Sequence, residues 1–152
     1  MNSLSELSLT LPVHQKQSEA GCFTVENMPM ASSAVTLDIS QSTPTVYMRP
    51  LAGFLRINVY SSQSRTKESV LSVEYCDEDT PMAGNFSLDM RTVAASGEIV
   101  MGKCSSNMVA VSVATPYLVT ESPKGNSIYL VLAPGSYEGE LTITTNKAIY
   151  IS

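Results

Sequence analysis

The sequence predicts an all-β fold, in the form of an antiparallel β-sandwich of about seven to nine strands. Apolar and polar side chains alternate with a period of two along most of the chain, as they do in strands that bury one face. Polar turns, many of them with Gly or Pro, separate these runs at intervals of about 8–15 residues. No long stretch shows the helical period, so we expect no α-helix longer than about two turns.

Length, composition and charge narrow the class of protein. The chain has 152 residues, of which 43% are apolar and 15% charged, which fits one ordinary domain and excludes a disordered chain. The net charge is −5, and the nearest approach to a basic cluster, Arg65 and Lys67, adjoins Glu68. Because binding to nucleic acid needs a stripe of basic residues, we expect no nucleic-acid partner. No apolar run reaches the roughly 18 residues of a membrane-spanning helix.

The N-terminal region differs from the remainder, and we divide the chain into a strand with a long connection, 1–34, and a sandwich domain, 35–152. Apolar residues at every second position predict a strand over 4–13. Residues 14–21 are polar and predict a flexible loop. The first strand is therefore expected to be tethered loosely to the sandwich.

The sandwich domain contains the other alternating runs. In one of them Arg56 and Asn58 lie between apolar neighbours, so the polar side chains face outward. Gly53 and Gly84, inside apparent strands, predict bulges or a close approach of the backbone. The predicted strands are 35–39, 55–59, 71–75, 86–90, 109–113, 128–132, 141–145 and 149–151.

The sequence offers little for catalysis. Its only imidazole is His14, in the predicted loop, whereas a nucleophile needs a positioned base. No G-x-S-x-G motif occurs. Glu138 and Glu140, on one face of a strand, are the only loose candidates for a hydrolase pair. We therefore predict no catalytic residues and a protein that is not an enzyme.

We also predict no metal and no other cofactor. The acidic turn 77–81 has three adjacent carboxylates but lacks the frame of a calcium-binding loop. The segment 135–139 follows a strand but opens no helix that could hold a phosphate, so together with Pro134 it predicts a hairpin turn.

Three cysteines, Cys22, Cys76 and Cys104, are too few and odd in number for a closed disulfide framework. One bridge, for example Cys76 to Cys104, stays open beside the interpretation of three free, buried or half-buried side chains. Ala20, Gly21 and Cys22 resemble the end of a lipoprotein leader, but polar residues precede them, so we expect no leader within this sequence.

Four tyrosines, Tyr117, Tyr129, Tyr137 and Tyr150, allow two interpretations. Their rings suit a platform for a saccharide, because a ring face contacts apolar C–H groups. They also suit packing positions with the hydroxyl group at the rim. A stand-alone carbohydrate- or protein-binding module is therefore the alternative function, and its mark is an exposed tyrosine cluster beside a cleft.

From residue 35 onward, the chain resembles the fimbrillin-like proteins of Bacteroidales, which are subunits of surface fimbriae. An Arg-x-x-Ala segment that begins at Arg49 leads into an alternating strand. A strand at 70–75 is followed by an Ala-Gly-x-Phe turn that begins at Ala83. A strand rich in aliphatic residues over 128–133 leads through a Pro-Gly pair into a Thr-rich strand over 141–146. These three pieces occur in the order found in the family.

This resemblance implies a transthyretin-like β-sandwich, export as a lipoprotein and a place at the cell surface, anchored to the outer membrane or within a fimbria. It implies other fimbrial subunits as partners, and a host or bacterial surface ligand for an adhesive member. Family members generally have two such domains, and this chain corresponds to the first. The resemblance leaves stalk, anchor and tip roles open.

The resemblance also implies assembly by strand exchange after a protease removes an N-terminal segment. An open sheet edge offers unpaired N–H and C=O groups to an incoming strand. Here the alternating segment 4–13 could occupy such a groove, with Lys16 as the processing site. Arg49 precedes Pro50 and Arg56 lies within a strand, so both are poorer sites. The alternative is that 4–13 is an ordinary first strand.

Overall fold

Strands make up most of the regular structure in the computed structural model, which describes residues 6–32, 40, 43, 45–62, 67–122 and 126–152. The predicted all-β class is confirmed, and the predicted strand at 35–39 lies outside the described residues. The one α-helix of the described residues, α1, spans Met90–Ser96. The strands are β1 (Glu6–Leu11), β2 (His14–Gln17), β3 (Met30–Ala31), β4 (Arg49–Pro50), β5 (Gly53–Asn58), β6 (Ser69–Cys76), β7 (Gly84–Asp89), β8 (Met108–Leu118), β9 (Ser127–Leu132), β10 (Glu140–Thr145) and β11 (Ile149–Ile151).

The largest sheet has five strands in the order β11-β10-β6-β8-β2. Its pairs are antiparallel except that β2 runs parallel to β8. The pair β2–β8 therefore departs from the predicted antiparallel arrangement, and the predicted loop at 14–17 is wrong, because these residues form β2. Sequence pattern missed this strand because its inner face carries Gln15 and Gln17 rather than apolar side chains.

Three further strand pairs occur in the described residues: β1 with β7, β3 with β4, and β5 with β9. A single cluster of buried side chains joins the sheet to two of them. Val73 and Val111 come from the five-stranded sheet, Leu11 and Leu88 from the β1–β7 pair, and Leu130 from the β5–β9 pair. Full burial of side chains of this size contributes about 1.5–3 kcal/mol each. Apolar burial is therefore the main attraction between the sheet and the two pairs.

The predicted alternation is confirmed in the central strands. β7 buries Phe86 and Leu88, and β8 buries Val109, Val111 and Val113, each with polar or small residues between them. Period-two spacing places these side chains on one face of the pleated strand. The sequence therefore identified the inner faces of both strands.

The inner face of β6 departs from the prediction. Leu71, Val73 and Tyr75 were expected to face inward together, but the fully buried residues are Val70 and Val73. The register shifts between Val70 and Ser72, which leaves Leu71 unpaired in the ladder with β10. An unpaired residue of this kind is a β-bulge, and it moves the side chains on its two sides out of phase.

The segment predicted as one strand over 86–90 ends as a helix. Asp89 caps α1, since its Oδ1 accepts a hydrogen bond from Arg91 N at 2.9 Å, and Gly97 ends the helix with a φ of 70°. Met90 is the first helical residue. Hydrogen bonding from Arg91 N holds the pKa of Asp89 below its usual value. Within the described part of the chain, no helix has the length and apolarity to cross a membrane.

Gly84 occupies the predicted close approach of the backbone. Its φ is 89°, and an added Cβ would lie 2.4 Å from Ser105 Oγ and 3.2 Å from Ser106 N. Gly53 instead pairs regularly with Leu132 at the start of β5, so no bulge occurs there. The backbone at Gly84 therefore needs glycine for both its space and its conformation.

The connection 133–139 is a crossing between sheets, and the predicted hairpin after Pro134 is wrong. β9 pairs with β5, whereas β10 pairs with β6 and β11. Asp77 supports this connection, because its Oδ2 accepts a hydrogen bond from Glu138 N at 2.8 Å. A long-range contact, rather than a local turn, therefore determines where the chain goes after β9.

Candidate functional site

The outer edge of the five-stranded sheet is β11, which pairs with β10 alone among the described residues. The prediction that Ile149 and Ile151 face inward is wrong, since their side chains are 65% and 64% exposed. Tyr150, between them, points to the other face, where its hydroxyl group donates to Glu68 Oε1 at 2.6 Å. The apolar side chains of this edge strand therefore lie in solvent.

The ladder between β10 and β11 determines which main-chain groups of β11 are available. Leu141 and Ser152 exchange two hydrogen bonds of 3.0 Å, which makes them a hydrogen-bonded pair. Ile149 and Ile151 occupy the alternate positions, opposite Thr144 and Thr142. At such positions the N–H and C=O groups point away from the partner strand. The edge therefore presents main-chain donors and acceptors beside two exposed apolar side chains.

A second edge strand, β5, pairs with β9 alone among the described residues. Val59 N donates to Asn126 O, which places Phe54, Arg56 and Asn58 at positions whose main-chain groups point outward. The Phe54 side chain is 58% exposed. β5 therefore resembles β11, because both turn main-chain groups outward beside exposed apolar side chains. β5 differs in having a charged residue, Arg56, near its centre.

The edge of β9 opposite β5 is closed by two glutamine side chains of β2. Gln15 Nε2 donates to Val131 O at 2.6 Å, and Val131 N donates to Gln15 Oε1 at 2.9 Å. Gln17 Nε2 donates to Ser127 O at 3.0 Å, and Tyr129 N donates to Gln17 Oε1 at 3.0 Å. Each side-chain amide supplies one donor and one acceptor, as a neighbouring peptide group would. The pair therefore substitutes for a strand.

This closure is buried: Gln15 and Gln17 each retain only 2% of their exposure. A buried amide group stays stable only when its donors and acceptors are paired, and here they are paired with the main chain of β9. Sequence reasoning missed both residues, because glutamine in a polar run is typical of a loop. The available signal was their spacing of two, directly after an alternating strand.

Lys16, the predicted processing site, lies between these two glutamines. Its side chain is exposed, and its main chain belongs to β2, where it pairs with Ser112. Asn27 Nδ2 donates to Lys16 O at 3.3 Å. A protease needs an extended segment that is free of the sheet, so cleavage at Lys16 would require β2 to leave β8 first.

The predicted catalytic and metal-ligating candidates do not converge. His14 is exposed on β2 rather than in a loop, and Glu138 and Glu140 are exposed. No group of three or more His, Cys, Asp or Glu residues within the described ranges is placed to hold a metal ion. Of the acidic turn, Asp77 is buried and accepts hydrogen bonds from Glu138 N, Asp79 N and Thr80 N. These bonds, that of Glu138 above all, hold its pKa below the usual value.

The three cysteines are free thiols, in agreement with the simpler prediction. Burial raises the pKa of the Cys104 thiol. Cys22 Sγ donates to Glu19 Oε1 at 3.4 Å, and this bond raises its pKa. Neither thiol is activated as a nucleophile, because activation requires a lowered pKa.

The four predicted tyrosines lie in separate places. Tyr117 and Tyr137 donate to main-chain oxygens, and Tyr150 donates to Glu68. Burial raises the pKa of Tyr117 to about 12. Tyr129 belongs to an aromatic cluster with Phe23 and Phe54, whose ring centroids are 5.5–5.8 Å apart. Of the two interpretations, packing therefore fits Tyr117, Tyr137 and Tyr150. Tyr129 of β9 instead forms a mixed aromatic cluster with Phe54 of β5 and Phe23.

Comparison with known proteins adds no relative: no family model, no curated protein and no solved structure matches the chain. The described part of the chain is mostly β and has several sheets. The resemblance to fimbrillin-like proteins stays a prediction.

Proposed function

We propose that this chain is a structural or adhesive subunit of a cell-surface fimbria and that it assembles through pairing of β-strand edges. The observation that carries the proposal is the edge of β11, where Ile149 and Ile151 expose apolar side chains and turn their N–H and C=O groups outward. Unpaired main-chain groups beside exposed apolar side chains can pair with strands of other chains, and monomeric proteins often cover or charge such edges or keep them short. β11 has three residues, which limits the length of the pairing, and it carries no charged residue that would oppose it.

The finer architecture in this proposal is a transthyretin-like sandwich. In it, the five-stranded sheet faces a second layer made of the β1–β7 and β5–β9 pairs. The shared core supports this arrangement, because Val73 and Val111 of the sheet belong to one cluster with Leu88 and Leu130 of the two pairs.

The N-terminal strand has a defined place in the proposal. β1 pairs with β7 along six positions, from Glu6 opposite Asp89 to Leu11 opposite Gly84. Only two residues, Pro12 and Val13, separate β1 from β2. Release of both strands, followed by cleavage at Lys16, would therefore open the edges of β7, β8 and β9 together. A long groove of that kind accepts a donor strand from the next subunit.

The proposed context follows from the same reasoning. We propose export to the cell surface as an outer-membrane-anchored or fimbrial lipoprotein, with other fimbrial subunits as partners and a surface ligand for an adhesive role. In such an assembly the working groups are main-chain amides and carbonyls, and a catalytic set is not required.

The edge is tested by Ile151→Lys against Val25→Lys, a matched control whose side chain is also 64% exposed but lies outside the strands. We expect the wild type to form larger species as its concentration rises in sedimentation velocity. Val25→Lys should behave in the same way, whereas Ile151→Lys should stay monomeric at least tenfold higher in concentration. A wild type that stays monomeric at every concentration, or an equal effect of both variants, would contradict assembly through β11.

The N-terminal step is tested separately with a trypsin-like protease followed by size-exclusion chromatography. At a concentration at which the uncut wild type is monomeric, we expect cleavage at Lys16 to yield oligomers, and Lys16→Gln to remain uncut there and monomeric. If the cleaved protein stays a monomer at that concentration, the donor-strand part of the proposal is wrong, whereas the β11 edge is tested by association of the uncut protein at higher concentration.

The second candidate function is a stand-alone carbohydrate- or protein-binding module. The aromatic cluster of Phe23, Phe54 and Tyr129 favours it, because Phe54 stays 58% exposed beside Arg56. Titration with neutral and acidic oligosaccharides in an NMR experiment tests this function. We expect shifts at the cluster that Phe54→Ala removes and that Tyr47→Ala, the loss of a 79% exposed ring elsewhere, does not remove. Absence of shifts at the cluster excludes it.

A further inference from the structure

A groove of about 640 Å³ runs along the extended segment 98–104, between α1 and β8. Its volume lies in the usual range of ligand sites. The other lining residues of the described part of the chain include three prolines and one charged residue. They are Arg49, Pro50, Leu51, Pro81, Ala133 and Pro134.

The main chain of segment 98–104 is only partly paired. Met101 forms an isolated antiparallel bridge with Leu88, and Gly102 N donates to Ser87 O at 2.9 Å. Gly102 permits this approach, because an added Cβ would lie 2.8 Å from Ser87 O. Met101 occupies the non-hydrogen-bonded position of the bridge, so its N–H and C=O point away from β7. The segment is therefore a short edge along one wall of the groove.

The charges in the groove are mostly positive although the whole chain has a net charge of −5. Arg49 and Lys103 are both exposed, and neither side chain makes a hydrogen bond or an ion pair within the described part of the chain. Glu98 is the single acidic residue among the described residues of the lining. Two cations without partners favour a ligand that carries carboxylates.

We propose that this groove binds an extended acidic peptide segment of a partner protein. The segment adds main-chain hydrogen bonds at Met101, as a strand does at any open edge, and its carboxylates lie near Arg49 and Lys103. Exposed apolar surface at Val100, which is 56% exposed, contacts the side chains between the carboxylates. Because paired strands have the same rise of about 3.3 Å per residue, a peptide of about seven residues spans the segment 98–104.

A peptide fits this groove better than a saccharide does. No aromatic ring is among the lining residues that the structure describes, whereas saccharide sites commonly stack sugars on such rings. A partly unpaired main-chain edge is the feature that an extended peptide recognises. None of the groove-lining residues in the described part of the chain belongs to β1, β2 or β11, so the proposal does not depend on the fimbrial one.

The test uses a dye-labelled seven-residue peptide that alternates valine and glutamate, with a valine–lysine peptide of the same length for comparison. Fluorescence anisotropy at low salt should give at least tenfold tighter binding for the acidic peptide. NMR shifts on binding should lie at Met101 and Gly102. The double variant Arg49→Glu/Lys103→Glu should weaken binding at least tenfold, whereas Lys67→Glu/Arg91→Glu, the same change in net charge at exposed residues outside the groove lining, should leave it within twofold.

Three results would overturn the proposal. One is equal binding of the acidic and basic peptides, and another is an equal loss in Lys67→Glu/Arg91→Glu and in Arg49→Glu/Lys103→Glu. The third is tighter binding of an oligogalacturonate than of the acidic peptide, which would assign the groove to acidic saccharides. Far-ultraviolet circular dichroism and urea unfolding of each variant verify that a loss of binding comes from the groove and not from unfolding.

Discussion

Two strand edges of this molecule, those of β9 and β11, differ in burial and in the hydrogen-bond partners of their main chains. The edge of β9 is buried, and Gln15 and Gln17 pair with its main chain through four hydrogen bonds of 2.6–3.0 Å. The edge of β11 is exposed at Ile149 and Ile151, and within the described residues this strand pairs with β10 alone. A buried main-chain group without a partner costs free energy, whereas an exposed one keeps water as its partner. The comparison indicates that closure is required at β9 and that β11 remains available for another chain.

The largest effect is expected from breaking the closed edge with Gln15→Leu. The substitution leaves the N–H and C=O groups of Val131 buried and without partners, so we expect a loss of about 2–4 kcal/mol in the free energy of unfolding. Urea denaturation measures it. Lys16→Ala, an exposed change on the same strand, should alter stability by no more than about 0.5 kcal/mol. If Gln15→Leu also changed the free energy of unfolding by no more than about 0.5 kcal/mol, the hydrogen bonds of Gln15 to β9 would contribute little to stability.

A proline scan of β11 sharpens the contrast, because proline removes one N–H group at a chosen position. At Tyr150 this N–H faces β10, and at Ile151 it faces outward. Measured against alanine at the same position, proline should cost about 1 kcal/mol in unfolding free energy at Tyr150. At Ile151 the difference should be close to zero, while any assembly through the edge is lost. Equal costs at the two positions would show that the assigned outward face of β11 is incorrect.

The smallest expected effect is on the pH dependence of stability. It distinguishes the hydrogen bonds of the charged Asp77 from those of the uncharged Gln15 and Gln17. Asp77 accepts three main-chain hydrogen bonds, with that of Glu138 N foremost, and its pKa in the folded chain lies below the ordinary value of 3.8. Its contribution to stability is therefore fully present above pH 3.8 and is lost as the pH falls through the folded pKa.

Comparison of Asp77→Asn with the wild type isolates this contribution. The difference in unfolding free energy between the two proteins should be largest near neutral pH and should shrink as the pH falls below 3.8. The effect of Gln15→Leu should stay constant over the same range, since an amide does not titrate there. Urea midpoints at several pH values measure both. A pH-independent Asp77→Asn effect would show that its charge contributes nothing.

The sequence by itself determined the all-β class and the inner faces of the central strands. Alternation along β7 and β8 identified Phe86, Leu88, Val109, Val111 and Val113 correctly, because burial of one strand face is encoded at a local period of two. The sequence also marked the close backbone approach at Gly84, where the local conformation requires glycine.

Tertiary structure alone decided which edges are closed and which are open. Gln15 donates a hydrogen bond to Val131, which lies 116 positions further along the chain. The residues around a glutamine that closes a strand edge look the same in the sequence as those around a glutamine in a loop. Ile149 and Ile151 follow the same alternation as buried residues, but their strand lies at the edge of the sheet and their side chains are exposed. Hydrogen-bond partners and edge positions are set by distant segments, and local periodicity carries no information about them.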